Sequence, residues 1–199
     1  MTWPATARYE LESAPGGLGL VQDLLNTVAA GAPRQADLLS DLAAAQAWVD
    51  DATAQWSAVT GQPVPQVALD ADGLDELRAF RDELHRLTTQ AREDVPETES
   101  AVPVLHSATA ALQLGEDGLV RLESRGTGWR RLASLVLVAA FEGQRADTRR
   151  RLKTCRNPRC RAAFYDRSRN NSGVWHDVKT CGNAANLRAY RARQRVQNA

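Results

Sequence analysis

All three cysteines of this 199-residue chain lie in one stretch, from Cys155 to Cys181. Four residues separate Cys155 from Cys160. Fifteen more lead to His176, and four separate His176 from Cys181. Two close pairs of soft donors joined by a longer segment suit a tetrahedral zinc ion. Zinc takes thiolate at about 2.3 Å and imidazole at about 2.0–2.1 Å, and a structural site fills all four positions with protein donors. Three buried thiols without a metal are the plainer reading, and the paired spacing argues against it. A disulfide would leave one thiol over, and the N-terminal residues lack the basic-then-apolar layout of a secretory signal. Asp166 and Asp177 compete with His176 for the fourth position, but imidazole suits a thiolate-rich site better than carboxylate. The expected set is Cys155, Cys160, His176 and Cys181 around one structural zinc.

The elements that position these donors are small. Residues 162–165 and 173–175 read as two short strands, with 166–172 as their turn. Phe164, Tyr165 and Trp175 are expected to shield the metal, because a unit of about fifty residues builds little core otherwise. Base stacking is their functional alternative. Cys181-Gly182-Asn183 opens a last helix, from Ala184 to about Val196, where the helix dipole favours a thiolate. Arg188, Arg191 and Arg195 share one face of that helix, suited to the DNA major groove. Arg167, Arg169 and Lys179 are candidates for backbone contacts.

The net charge of +1 conceals a division. Residues 149–199 carry fourteen Lys and Arg against two Asp and Glu, whereas residues 1–148 carry eleven against twenty-two. A basic end on an acidic body is the pattern of a nucleic-acid-binding module beside a domain with another task. Docking of the tail on its own acidic body is the alternative. No apolar run approaches the roughly 20 residues that span a bilayer, so a cytoplasmic protein without membrane contact is expected.

The acidic part reads as helical. Residues 1–15 are aperiodic, a tail or an edge strand. A helix covers Leu20 to Val28 and ends near Gly31. A longer stripe from Leu38 to Val59 has Asp37 as its N-cap and stops at Gly61 and Pro63. Trp48 lies beside that stripe. A third helix bears Leu74, Leu77, Phe80, Leu84 and Leu87, with Asp72 as cap. His85 and His106 are read as structural. After an acidic loop at 94–100, a short helix is expected from Pro103 to about Ala111. A hairpin follows around Gly115-Glu116-Asp117-Gly118. Trp129 to Phe141 is apolar on most faces, as for the central helix of a bundle. The charged segment 145–153 could carry that helix straight into the metal module, with no flexible linker. The fold class is mainly α with small β-hairpins (α+β), with a helical domain at 1–148 and a basic zinc finger at 149–199.

Several stretches resemble a known family. Arg151-Leu152-Lys153, Cys155 and Cys160, the run from Phe164 to Asn170, Trp175-His176 and Cys181-Gly182-Asn183 resemble the CGNR zinc finger. Leu24-Leu25-Asn26-Thr27, Asp37-Leu38 and Trp48 are similar to the ABATE domain that precedes that finger in stress-induced bacterial transcription regulators. Two positions depart from the pattern: His176 stands where the family usually has cysteine, and Ala184 stands where it has the name-giving arginine. The resemblance implies a treble-clef-like finger, duplex DNA binding and transcriptional control. The helical domain would sense a small-molecule effector or form a homodimer. Trp48, Trp56, Trp129 and Asn26 are either pocket lining or core. An RNA- or ribosome-associated binder is the second reading. An enzyme is not expected, because four protein ligands close a zinc site and no histidine–carboxylate constellation appears elsewhere.

Overall fold

The computed structural model describes residues 2–31, 33–90, 106–184, 186, 187, 191 and 194. Residues 2–15 form neither tail nor strand. Pro4 opens a one-turn helix, α1 (Pro4–Ala7), its missing N–H costing nothing at that position. Trp3, its N-cap residue, and Ala5 within it are buried. Trp3 lies so close to Gly19 that an added Cβ there would fall against the indole Nε1 and Cε2. Gly19→Ala therefore displaces Trp3, and an overpacking loss of about 1–3 kcal/mol is expected in a denaturant titration.

All eight residues of α2 (Leu18–Leu25) are buried. This helix touches α1, α3 (Leu42–Thr60), α4 (Ala71–Gln90) and α5 (Gly128–Arg145). It is the centre of the bundle, a place the sequence pattern assigns to α5. The outer side of α5 carries the exposed Phe141 and the half-buried Leu137 and Val138.

Two helix caps differ from expectation for one kind of reason. Asp41, not Asp37, caps α3, accepting from the Ala44 N–H at 2.9 Å. Asp37 accepts from the Leu39 N–H at 2.8 Å and from the buried Arg81 guanidinium at 2.6 Å. At α4 the side chain of Asp70 accepts from the Gly73 N–H at 2.7 Å, leaving Asp72 in the first turn. Gly61 ends α3 with φ of 70°, a left-handed conformation that glycine adopts without strain.

The hairpin forms as its glycines suggest. β1 (Ala110–Leu114) pairs antiparallel with β2 (Val120–Ser124), Leu114 opposite Val120. The helix expected from Pro103 lies outside the described residues up to 105; its described part is not helical, and Ala110 already belongs to β1.

After α5 the chain turns rather than running on. Asp147 adopts φ of 57°, and a 3-10 turn follows at Arg149–Arg151. β3 (Leu152–Thr154) then pairs antiparallel with β4 (Ala163–Tyr165), Lys153 opposite Phe164. Residues 173–175 are not the partner of β4. The strand immediately before the first cysteine takes that place. Leu152 and Ala163 belong to the same apolar core as α2 to α5. Among the described residues, no helix is long and apolar enough to cross a membrane.

Candidate metal centre

The turn joining β3 to β4 is the metal knuckle. The Cys155 N–H donates to the Ala162 carbonyl at 2.9 Å, and the Cys160 N–H to the Asn157 carbonyl at 2.8 Å. Arg161 takes φ of 61° to close the loop. The other two donors arrive from a π-type turn, Val178–Gly182, and the residues just before it. Asp177 caps this turn by accepting from the Thr180 N–H at 3.1 Å. The turn leads into helical backbone at Asn183, Ala184, Asn186, Leu187, Arg191 and Gln194; the remainder of the expected last helix lies outside the described residues.

The ligand atoms of Cys155, Cys160, His176 and Cys181 all lie within 4.8 Å of one another. Cys160 Sγ is 3.3 Å from His176 Nδ1. A tetrahedron with bonds of about 2.3 Å has edges of about 3.8 Å, so this cluster fits one zinc ion. All three sulfurs are buried. With no cation between them they cannot ionise together. The Cys155 thiol is drawn down, chiefly by a hydrogen bond from Cys160 and with help from His176. Cys160 is pushed up because it donates to Cys155 and because it is buried; burial also raises Cys181. A divalent cation removes that conflict by stabilising all three thiolates at once. Asn157 Nδ2 donates to Cys181 Sγ at 3.2 Å, a support behind the ligand itself.

The two competing carboxylates have other work. Asp177 caps the turn. Asp166 is buried against Lys153, with Nζ 2.5 Å from Oδ2. Lys153 also donates to the carbonyls of Asn171 at 2.6 Å and Gly173 at 3.2 Å. Burial alone would raise the Asp166 carboxyl, but hydrogen bonds from Lys153, Ser168 and Gly173 outweigh it and hold the group far below the usual carboxylate range. Lys153→Met leaves that charge buried without its partner. A loss of about 3–5 kcal/mol is expected by chemical denaturation, with the double variant Lys153→Met, Asp166→Leu recovering part of it.

Profile comparison places a CGNR zinc finger at residues 151–194. The profile of ABATE, described as a putative stress-induced transcription regulator, matches residues 18–147. The chain belongs to the ABATE family. Among curated proteins no significant match is found.

The ABATE part grips the finger through the backbone of residues 160–163. The Gly31 N–H donates to the Cys160 carbonyl at 2.9 Å. His85 Nε2 lies 2.8 Å from the Arg161 carbonyl, which can only accept, so this nitrogen carries the proton. Burial pulls the His85 pKa down and keeps the ring neutral. Asn26 binds both sides of Ala163, accepting from its N–H at 2.8 Å and donating to its carbonyl at 2.9 Å. Gln22, one helical turn earlier, donates to the same carbonyl at 3.3 Å. Spacing in the sequence does not reveal these roles, although Leu24-Leu25-Asn26-Thr27 was already part of the family resemblance.

The aromatic shield is only partly the expected one. Trp175 packs on the cysteine cluster together with Tyr9 and Leu11 from the N-terminal segment. Tyr165 packs instead on the main core. Trp48 is core and donates from Nε1 to the buried Asp23 at 2.8 Å, whose carboxyl burial pushes up. Trp56 and Asn26 are also buried, and Trp129 packs against the core.

Arg169, Lys179 and Arg191 are exposed, as a nucleic-acid contact requires. Arg188 and Arg195 lie outside the described residues. Arg167 is exposed but engaged: it pairs with Glu12, donates to the Ser13 carbonyl at 3.0 Å and lies over the Tyr165 ring. The knuckle adds Arg156, Arg159 and Arg161, all exposed. Their sign in the sequence is that they stand next to or between the two cysteines of the knuckle, where Asn157 alone of the intervening polar side chains turns inward, to Cys181.

Proposed function

We propose that the chain is a zinc-dependent, DNA-binding transcription regulator of the cytoplasm, with residues 149–199 contacting duplex DNA and residues 1–148 controlling them. One observation carries this reading. Arg156, Arg159, Arg161, Arg169, Lys179 and Arg191 are exposed, and none of them forms an ion pair with a carboxylate among the described residues. Basic side chains left unneutralised by an acidic body are available for phosphate. Zinc, when bound, supplies rigidity: it fixes the knuckle and the turn at Cys181 so that these charges are held in one arrangement. With four protein donors the ion has no vacant position for substrate, which favours a binding protein over an enzyme.

Duplex is favoured over single strands, because the rings that would stack on bases are used in packing. Phe164 is buried, Tyr165 lies against the core, and Trp175 covers the cysteines. Binding to duplex DNA is expected to weaken steeply with salt, by roughly 0.9 log units per log unit of salt for each phosphate contacted. The double variant Arg159→Ala, Arg161→Ala is expected to bind about tenfold to a hundredfold more weakly and to flatten that slope by nearly 2. Fluorescence anisotropy across a salt series measures both. Equal affinity of variant and parent, or a preference for single-stranded RNA, would replace this reading.

A further inference from the structure

The hairpin is apolar on the wrong side for an isolated molecule. Strand alternation puts Ala110, Leu112 and Leu114 on one face with their cross-strand partners Ser124, Leu122 and Val120. Near its base this face packs on α5, and Ser124 is buried there. Farther out it extends beyond its support: Leu112 is 74% exposed, Leu114 75%, Val120 63%, and neighbouring Leu119 58%. Beneath it, a groove of about 280 Å³ is lined by Ala110, Leu122, Leu137, Val138 and Phe141, the last 47% exposed. The opposite face, with Gln113, Arg121 and Glu123, is polar.

The geometry points to a second copy of this chain as the occupant, hairpin packed on hairpin about a twofold axis. Charge narrows the choice. From Ala110 to Arg125, the residue just after the hairpin, there are five charged side chains, and four are paired with one another, Arg121 with Asp117 and Arg125 with Glu123. A patch with its charges already matched offers nothing to nucleic acid or to a strongly charged protein. It suits an equally neutral apolar surface, which a twofold axis provides by definition. Area agrees. A leucine carries on the order of 100 Å² of apolar surface, so the five exposed side chains present on the order of 300 Å² together. That falls in the roughly 300–600 Å² range of the largest apolar patch on a typical monomer, which is often functional. It is the core of the roughly 800 Å² per partner that a stable dimer buries, with the polar rim supplying the remainder. β1 and β2 form a sheet of only two strands, so each keeps an outer edge without a strand partner among the described residues.

The test is sedimentation of the full zinc-loaded chain, free of nucleic acid and at high salt, over micromolar to sub-millimolar concentration. The chain is expected to be a dimer. Leu112→Glu and Leu114→Glu, at positions too exposed to matter for folding, are each expected to weaken association by roughly tenfold or more. Circular dichroism and zinc content should not change. A monomer throughout, or a dimer that both substitutions leave intact, overturns the proposal. Should either variant misfold, amide exchange of the unaltered chain decides: residues 112–120 should gain protection with concentration, and exchange independent of concentration overturns it.

Discussion

Removing zinc, or replacing Cys160 with serine, is expected to cost more stability than any other single change. Structural zinc contributes an apparent ~10–16 kcal/mol in finger peptides near neutral pH. Here the ion has little help from its own surroundings. β3 and β4 share three residue pairs, and a two-stranded sheet of that size does not hold itself together in water. Without the cation the three sulfurs, buried and within 4.8 Å of one another, cannot all be thiolates at once. The damage should not stop at the finger. Leu152 and Ala163 are part of the main core, so loosening this strand pair opens one side of α2. Calorimetry with and without a strong chelator should show the whole transition move down. At about 2–4 °C per kcal/mol for a chain of this size, even a net loss of several kcal/mol gives about 10–20 °C. Amide exchange should be fastest at residues 152–165 in the metal-free chain.

The second large effect is expected from a residue that touches no ligand. Among the described residues Asn26 is the one side chain that both donates to and accepts from Ala163, and Asn26→Ala removes that pair of bonds together with its bond to Thr6 Oγ1 at 3.2 Å. Asn26 and Ala163 are fully buried, so the freed groups meet no water. Each orphaned buried group costs about 1–3 kcal/mol, and the cavity adds to that, for about 3–5 kcal/mol in all. The more telling readout is zinc affinity. Asn26 holds β4, β4 holds the knuckle, and the knuckle holds two of the sulfurs. Competition against a chromogenic chelator should therefore show zinc bound at least roughly tenfold more weakly than by the parent, a coupling of about 1.4 kcal/mol between sites. Lost stability with unchanged zinc affinity would mean that the finger folds independently of the helices that embrace it.

These two residues mark what a sequence reveals and what it withholds. The donor set is legible because metal ligands come in close pairs whose spacing is local. The hairpin at Gly115–Gly118 and the end of α3 at Gly61 are legible for the same reason, since backbone geometry there depends on one or two residues. The N-cap of α3 is not. Asp37 and Asp41 are equally good candidates, and the choice is made by Arg81, forty-four residues away from Asp37. The partner of β4 is equally hidden. Three-residue strands carry no register of their own, and the contacts of Lys153 with Asp166 and with the Asn171 and Gly173 carbonyls, which accompany the observed pairing, span too much sequence to be read from spacing. Among the arginines, sequence cannot separate Arg167, tied to Glu12 and Ser13, from Arg159 and Arg161, which project from the knuckle. That difference arises because the N-terminal segment packs beside the finger.

The central claim is that three sulfurs and one imidazole close around a single zinc at a joint that the helical body holds in place. Zinc-edge X-ray absorption of the protein as purified tests it most directly. The expected shell is three sulfurs at about 2.3 Å and one nitrogen at about 2.0–2.1 Å, with one zinc per chain. His176→Ala should replace that nitrogen by a water oxygen or lose the metal. A shell with fewer than three sulfurs, a signal unchanged in His176→Ala, or a folded chain that retains no zinc would contradict the account.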